Sequence, residues 1–309
     1  MRRLPGIPAE RNPMRLINYK MTLQYEGTRY RGWQKQPGVE NTIQGKLELL
    51  LSRLMDTDIE VYGAGRTDAG VHALGQVASF RVPAEKLSFL EKGFRSMGGQ
   101  FSGGWANLPE TGKKMPALAK EPDPEEQLLS RRREAEDGAL FAALNHYLPE
   151  DIAVARLVRA SDRFHARYLS SSKWYQYRIR TSPVSDVRNR RFLWQYGRKL
   201  DTERIEEGAK YLTGQHDYAS FCGLKMKKST VRTVSAIHLT RPDDDTIVLD
   251  YYGDGFLNHM VRLMTGELVE AGAGRIAPEE IGRILSECRK GAADRTAPAS
   301  GLTLMEVRY

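Results

Sequence analysis

Cysteine is almost missing from the sequence, with Cys222 and Cys288 the two present in 309 residues. They are too few and too far apart for a disulfide framework, and such a chain is expected in a reducing, cytoplasmic compartment. Histidine is sparse too. His72, His146, His165, His216, His238 and His259 show no metal-ligand spacing, and no C-x-x-C accompanies them, so no metal is expected. No apolar run approaches the roughly 20 residues needed to cross a bilayer. The first fourteen residues carry arginines and prolines without an apolar stretch, which is not the pattern of a signal peptide, and no membrane partner is expected. Nucleotide-binding glycine motifs are lacking as well. In the loop Gly63-Ala64-Gly65-Arg66-Thr67-Asp68-Ala69-Gly70, Asp68 stands where a dinucleotide fingerprint needs its third glycine. Val71 and His72 then stand where a P-loop needs Lys and Ser or Thr. A carboxylate at that point repels a pyrophosphate, so the failure is physical and no cofactor is expected.

Positive charge is abundant. The formal net charge is +8 and the pI about 9.4, which implies a polyanionic partner. Residues 159–199 hold eleven Arg or Lys against Asp162 and Asp186, a window of +9, so the rest of the chain sums to −1. The same window holds Phe164, Tyr168, Trp174, Tyr175, Tyr177, Phe192, Trp194 and Tyr196. Cations neutralise phosphates and rings stack on splayed bases. The same residues also fit a solvated basic face over aromatic strand residues packed in a core.

Alternating apolar residues predict a strand over residues 16–25. Between 42 and 55, Ile43, Leu47, Leu50, Leu51, Leu54 and Met55 follow helical spacing behind Asn41 or Thr42 as cap. Strands are expected at 59–62 and 73–82, a helix around 139–147 and a strand at 152–158. The second half reads as a strand at 173–180, a helix at 202–212, strands at 231–240 and 246–252, helices at 257–271 and 278–288, and a strand at 302–307. Elements mixed in this way imply an α+β fold. The chain divides on this reading into a basic extension (1–15), an α+β domain (16–160) and a second α+β domain (161–309). Residues 93–138 look inserted. Within 113–138 six basic residues meet seven acidic ones, so a solvated, partly helical excursion is expected in place of a phosphate-binding arm.

Alone, the loop 63–70 reads as a tight turn or as a catalytic loop. With its continuation Val71-His72-Ala73-Leu74-Gly75-Gln76-Val77 it resembles the active-site signature of the tRNA pseudouridine synthase A family. Five more blocks resemble that family in the right order: Tyr30-Arg31-Gly32-Trp33-Gln34-Lys35-Gln36; Phe164-His165-Ala166-Arg167 with Lys173-Trp174-Tyr175-Gln176-Tyr177; Asp217-Tyr218-Ala219-Ser220-Phe221; Phe256-Leu257-Asn258-His259-Met260-Val261-Arg262; and Gly301-Leu302-Thr303-Leu304. The match runs from about Tyr19 to the C-terminus, broken by the insertion. It implies the pseudouridine synthase fold, two mixed α/β halves flanking a basic catalytic cleft. It also implies a cofactor-free homodimer that isomerises uridine to pseudouridine in tRNA, in the anticodon stem-loop.

The resemblance further implies roles for single residues. Asp68 is the essential carboxylate, a group that serves as nucleophile or as base; sequence leaves open whether it attacks the sugar or removes a sugar proton. On the helix 257–271, Arg262 points away from the apolar stripe of Leu257, Met260, Val261, Met264 and Leu268. Such an arginine is ordinarily solvated, but the resemblance places it beside Asp68. Tyr175 is the ring stacked on the target base, although a core strand aromatic is the plain local reading. Leu302 closes the pocket, or is a core leucine. Arg66 fills the gap left by a flipped nucleotide, and Arg167 and Lys173 contact phosphates. Trp174 departs from the family, which often has a basic residue there. Two alternatives stay open: the same chemistry on another RNA, and an RNA-binding protein that keeps the fold without activity.

Overall fold

The computed structural model describes residues 15–96, 124–224 and 229–309. β1 (Leu16–Tyr25) buries the alternate residues Tyr19, Met21, Leu23 and Tyr25, the period-two pattern of a strand with one face in a core. α1 (Ile43–Met55) begins where the Thr42 hydroxyl accepts the Gly45 N–H at 3.2 Å, and ends where Asp56 turns left-handed. β2 (Val61–Gly63) and β3 (His72–Pro83) pair antiparallel and carry the glycine-rich loop between them. α2 (Ala84–Ser96), α3 (Pro124–Tyr147) and β4 (Ile152–Arg159) complete the first half.

The second half contributes β5 (Ser172–Arg180), β6 (Trp194–Gln195), α4 (Thr202–Tyr211), β7 (Gly214–Asp217), β8 (Val231–Asp243), β9 (Thr246–Gly253), α5 (Met260–Gly272), α6 (Pro278–Ser286) and β10 (Leu302–Arg308). Among the described residues the ten strands form one sheet, in the order β4-β1-β3-β10-β5-β9-β8-β7, with β2 on β3 and β6 on β5. The last strand joins the halves. β10 runs parallel to β3, with Thr303 opposite His72 and Leu304 opposite Ala73, and antiparallel to β5, with Leu302 opposite Tyr177 and Leu304 opposite Tyr175. One hydrophobic cluster extends from Tyr19 and Leu47 in the first half to Tyr251 and Met264 in the second. The α+β expectation is met, and no described helix is long and apolar enough to cross a membrane.

Three local expectations need correction, and one helix went unexpected. The strand expected at 59–62 is confined to Val61–Gly63. α2 had no sequence prediction, although Leu87 and Leu90, one turn apart, pack on the core. Residues 124–138, expected in the insertion, are the first turns of α3, and 93–96 close α2; the remainder of the insertion, like the extension 1–14, lies outside the described residues. The helix expected from 257 starts at Met260, because His259 sits at φ 60°, a left-handed conformation that an α-helix cannot contain. Its non-stripe side is covered as well, since Thr265, Gly266 and Glu267 are buried.

Gly75 tests the join between the halves. A Cβ at this position would overlap the carbonyl oxygen of Met305 on β10, and backbone cannot rotate away as a side chain can. Gly75→Ala is expected to destabilise the protein by about 1–3 kcal/mol, read as a lower urea midpoint at unchanged slope. An unchanged midpoint would show that the strands part at no cost.

Candidate active site

The conformation of loop 63–70 is imposed from beneath by the segment around Trp33. Gly32 has φ +90°, and a Cβ there would press on the Thr67 carbonyl, so a bare backbone is required for the close approach. The Trp33 N–H donates to that carbonyl at 3.0 Å, and the indole occupies the space a side chain at Gly63 would need. From the sheet, Gln76 Nε2 donates to the Gly65 carbonyl at 3.0 Å, and the Tyr25 hydroxyl lies 2.8 Å from Thr67 Oγ1. Gly70 donates to the Tyr30 carbonyl with φ +81°. Both backbone ends and the middle of the loop are therefore held before Asp68 makes any contact.

The Asp68 carboxylate meets the start of α5. Arg262 Nη1 donates to Oδ2 at 3.3 Å, Asn258 Nδ2 donates to Oδ1 at 3.2 Å, and His259 Nε2 lies 3.6 Å from Oδ2. The Asp68 and Arg262 side chains are 18% and 15% exposed, so water screens this pair less than a surface bridge. Arg262 is itself clamped: its Nε donates to the Ala297 carbonyl at 2.8 Å, and Ala297 N–H donates back to the Arg262 carbonyl at 3.0 Å. Gly266, one turn on, leaves room for the backbone of Arg295. The arginine that points off the apolar stripe thus points into protein, not solvent.

A cavity of about 440 Å³ surrounds the carboxylate and is lined by Asp68, Arg66, Arg167, Lys173, Tyr175, Arg262 and Leu302. All seven residues named from the sequence meet there. Lys173 and Tyr175 are two apart on β5 and share the face toward it. Trp174 faces the opposite way, stacked on Tyr252 and donating to Asp250 at 2.7 Å, so its departure from the family pattern does not touch this wall. Tyr175 is 6% exposed, its ring edge-on to Phe256 at 5.3 Å. Burial, reinforced by Tyr25 and Asp68, drives its phenol well above the ordinary value. Burial beside Arg167 and Arg232 lowers the Lys173 ammonium. Within the basic window Arg159, Arg180 and Arg191 form ion pairs, whereas Arg167 and Lys173 face the cavity without one among the described residues.

Asn258, His259 and Arg232 also line the cavity but were not picked from the sequence. The first two stand in the block that yielded Arg262, and the left-handed His259 is what turns both toward Asp68. A larger cavity of about 880 Å³ lies between α1, α2 and α3. Its charged groups Asp56 and Lys86 pair with each other at 3.2 Å, leaving no convergent set of reactive groups. Among the described residues no three His, Cys, Asp or Glu side chains are placed to hold a metal ion.

The sequence pattern of the tRNA pseudouridine synthase family matches residues 21–91 and 209–309, which include Asp68, Arg262 and Leu302. Over 94% of its length the chain is 33% identical to tRNA pseudouridine synthase A 2 of Bacillus anthracis, covering 99% of that protein. It is 36% identical to tRNA pseudouridine synthase A of Moorella thermoacetica over 94% of this chain and 98% of the relative. With tRNA pseudouridine synthase A 1 of Clostridium tetani the identity is 34%, over 94% and 99%.

The phenols around the loop make stability sensitive to alkali. Burial pushes Tyr25 up to about 12 in the folded protein, from an ordinary value near 10. Folding therefore favours the protonated phenol. Its stabilisation is complete below pH 10 and is lost as pH rises through 12, on the order of 2 kcal/mol from Tyr25 alone at pH 12. Urea unfolding at pH 9 and pH 11 should show a lower midpoint at the higher pH, with a smaller drop in Tyr25→Phe. Midpoints independent of pH would contradict this.

Proposed function

The chain belongs to the tRNA pseudouridine synthase family, and from that premise we propose that Asp68 is the carboxylate with which it isomerises uridine to pseudouridine in the anticodon stem-loop of tRNA. The enzyme is an isomerase acting on tRNA. Its reaction breaks the N1–C1′ bond, turns the base and forms a C5–C1′ bond. A proton leaves C5 and one is gained at N1, so the product has the mass of the substrate and no electrons are exchanged.

The observation that carries the proposal is the carboxylate itself. Asp68 is held by Arg262 and Asn258, from the other end of the chain, inside a cavity rimmed by cations. A protein that merely bound RNA would gain nothing from a fixed negative charge facing phosphates. Two routes suit a carboxylate there, attack at C1′ or removal of the C2′ proton to leave a glycal. In both, Arg262 fixes the direction of the reacting oxygen. Forming the C5–C1′ bond frees the carboxylate, by breaking its ester to C1′ or by returning the proton to C2′, and it then takes the C5 proton.

The remaining side chains supply binding. Extracting the uridine from its stack costs a few kcal/mol. Arg66, exposed at the loop, fills the space it leaves, and Tyr175 stacks on the extruded base while Leu302 closes the floor. Arg167 and Lys173 take the flanking phosphates, and the lowered ammonium of Lys173 regains stability when a phosphate pairs with it. Family membership supports a cytoplasmic homodimer that uses neither cofactor nor metal. We place the boundary between the two α+β halves near residue 160, between β4 and β5.

Incubating tRNA with wild type and with Asp68→Asn, then separating nucleosides by chromatography, tests the central role. Pseudouridine formation is expected to fall by roughly 10³-fold or more, with tRNA affinity retained; equal yields would falsify the role of Asp68. Mapping the product in tRNA is a separate test, since modification outside the anticodon arm would overturn the substrate position and leave the reaction standing.

A further inference from the structure

Beside the reaction cavity lies a row of three rings that the mechanism above does not use. Tyr62, on β2 and one residue before the catalytic loop, is 45% exposed, and Tyr168 is 78% exposed. His165 lies between them, its ring centroid 4.9 Å from Tyr62 and 4.4 Å from Tyr168. Exposed aromatic side chains usually occur singly; these three are in contact, tilted 43° and 35° from ring to ring, and make one continuous aromatic face.

The row is held in place from below. Ala166 is fully buried. Its N–H donates to Ser79 Oγ at 3.1 Å and its carbonyl accepts from the Tyr309 hydroxyl at 2.9 Å. Asn18 donates to the Ser161 and Phe164 carbonyls at 2.7 and 2.9 Å. With Ala166 pinned, its neighbours are directed to two places: His165 joins Tyr62, and Arg167 enters the wall of the cavity that holds Asp68. The ring row and the reaction cavity are thus joined through one residue.

We propose that Tyr62, His165 and Tyr168 form a stacking platform for an unpaired nucleobase of the RNA near the reacting uridine. This rests on the reading of the protein as a tRNA-modifying enzyme. The rings border a cavity of about 690 Å³ that is also lined by Arg81, Asp58 and Glu60. Two carboxylates within it repel a phosphate, but they accept N–H groups from a base edge. Cations lie at the margin. Arg81 donates to the Asp162 carbonyl and has no carboxylate partner among the described residues, and Arg167 likewise. The base enters over the rings, and its phosphates stay outside between the two guanidinium groups. The imidazole suits this position: Nδ1 accepts the Arg167 N–H at 3.1 Å, and burial beside Arg167 and Arg81 keeps the ring neutral, so it stacks without needing a counter-charge. The pre-set rings lose little freedom on binding.

The test uses the full-length enzyme and an anticodon stem-loop RNA, with Kd, KM and kcat measured for Tyr168→Ala, the double variant Tyr62→Ala/Tyr168→Ala, Tyr168→Phe and Tyr168→Trp. Loss of base stacking should raise Kd and KM roughly 5- to 150-fold in the double variant, with kcat little changed, while Phe and Trp at 168 behave as wild type. Replacing the loop nucleotides one at a time by abasic residues should reveal one position that weakens wild type and leaves the double variant unaffected. Unchanged Kd and KM in the double variant overturn the platform. So does Phe failing like Ala, which assigns the contact to the hydroxyl. Loss of self-association in sedimentation with RNA affinity intact also overturns it, and assigns the rings to a second copy of the chain. If wild type makes no pseudouridine, the parent reading fails, while the affinity series still decides whether the rings bind a base.

Discussion

The geometry of the cavity depends on the pairing of β10 with β3 and β5. The glycine-rich loop leads into β3 at His72, and His72 is aligned with Thr303, next to Leu302. On its other edge β10 sets Leu304 against Tyr175. The carboxylate loop, the buried tyrosine and the cavity floor are thus mutually positioned by one strand. A slip of one residue would move Leu302 to the other face of the sheet. The same strand merges two sets of elements into one sheet and one core, so the halves cannot drift apart without exposing apolar surface. The bulge between Leu304 and Glu306 and the bare backbone of Gly75 are local adjustments to that pairing.

Electrostatics then makes the carboxylate compatible with an anionic ligand. Arg262 and Asn258 satisfy Asp68 from within, while Arg66, Arg167, Lys173 and Arg232 ring the cavity. A phosphate backbone arriving there meets net positive charge, and the carboxylate is shielded by its own partners. Three other cations of the basic window are occupied: Arg159 by Glu136 and Asp137, Arg180 by Asp243 and Asp245, Arg191 by Glu26. Net charge alone therefore overstates the positive charge left free.

Strands are legible in the sequence wherever one face is buried and the other is not: along β1, Met21, Leu23 and Tyr25 alternate with exposed or half-buried residues. Legibility ends where tertiary contacts decide. The helical pair Leu87 and Leu90 of α2 is too short a pattern to separate from the glycine-rich stretch after it, and α5 is buried on nearly every side, so its apparent stripe pointed to a solvated Arg262. The ordered motif blocks associate Asp68, Tyr175, Arg262 and Leu302, and these four line one cavity. The blocks do not distinguish Asn258 and His259 from their neighbours, because what matters about His259 is a backbone angle that no local preference predicts. That Trp174 looks away from the cavity follows from the two-residue period of β5, which sets it on the face opposite Tyr175.

The clamp on Arg262 has a further consequence, in the number of donors left over. A guanidinium carries five N–H groups, and here one is taken by the Ala297 carbonyl and one by Asp68. Three have no acceptor among the described residues. An incoming oxygen can therefore be received by a group that is already aligned, with neither existing bond broken to make room. Holding the carboxylate and greeting the ligand are separate duties of one side chain, and the second does not have to interrupt the first.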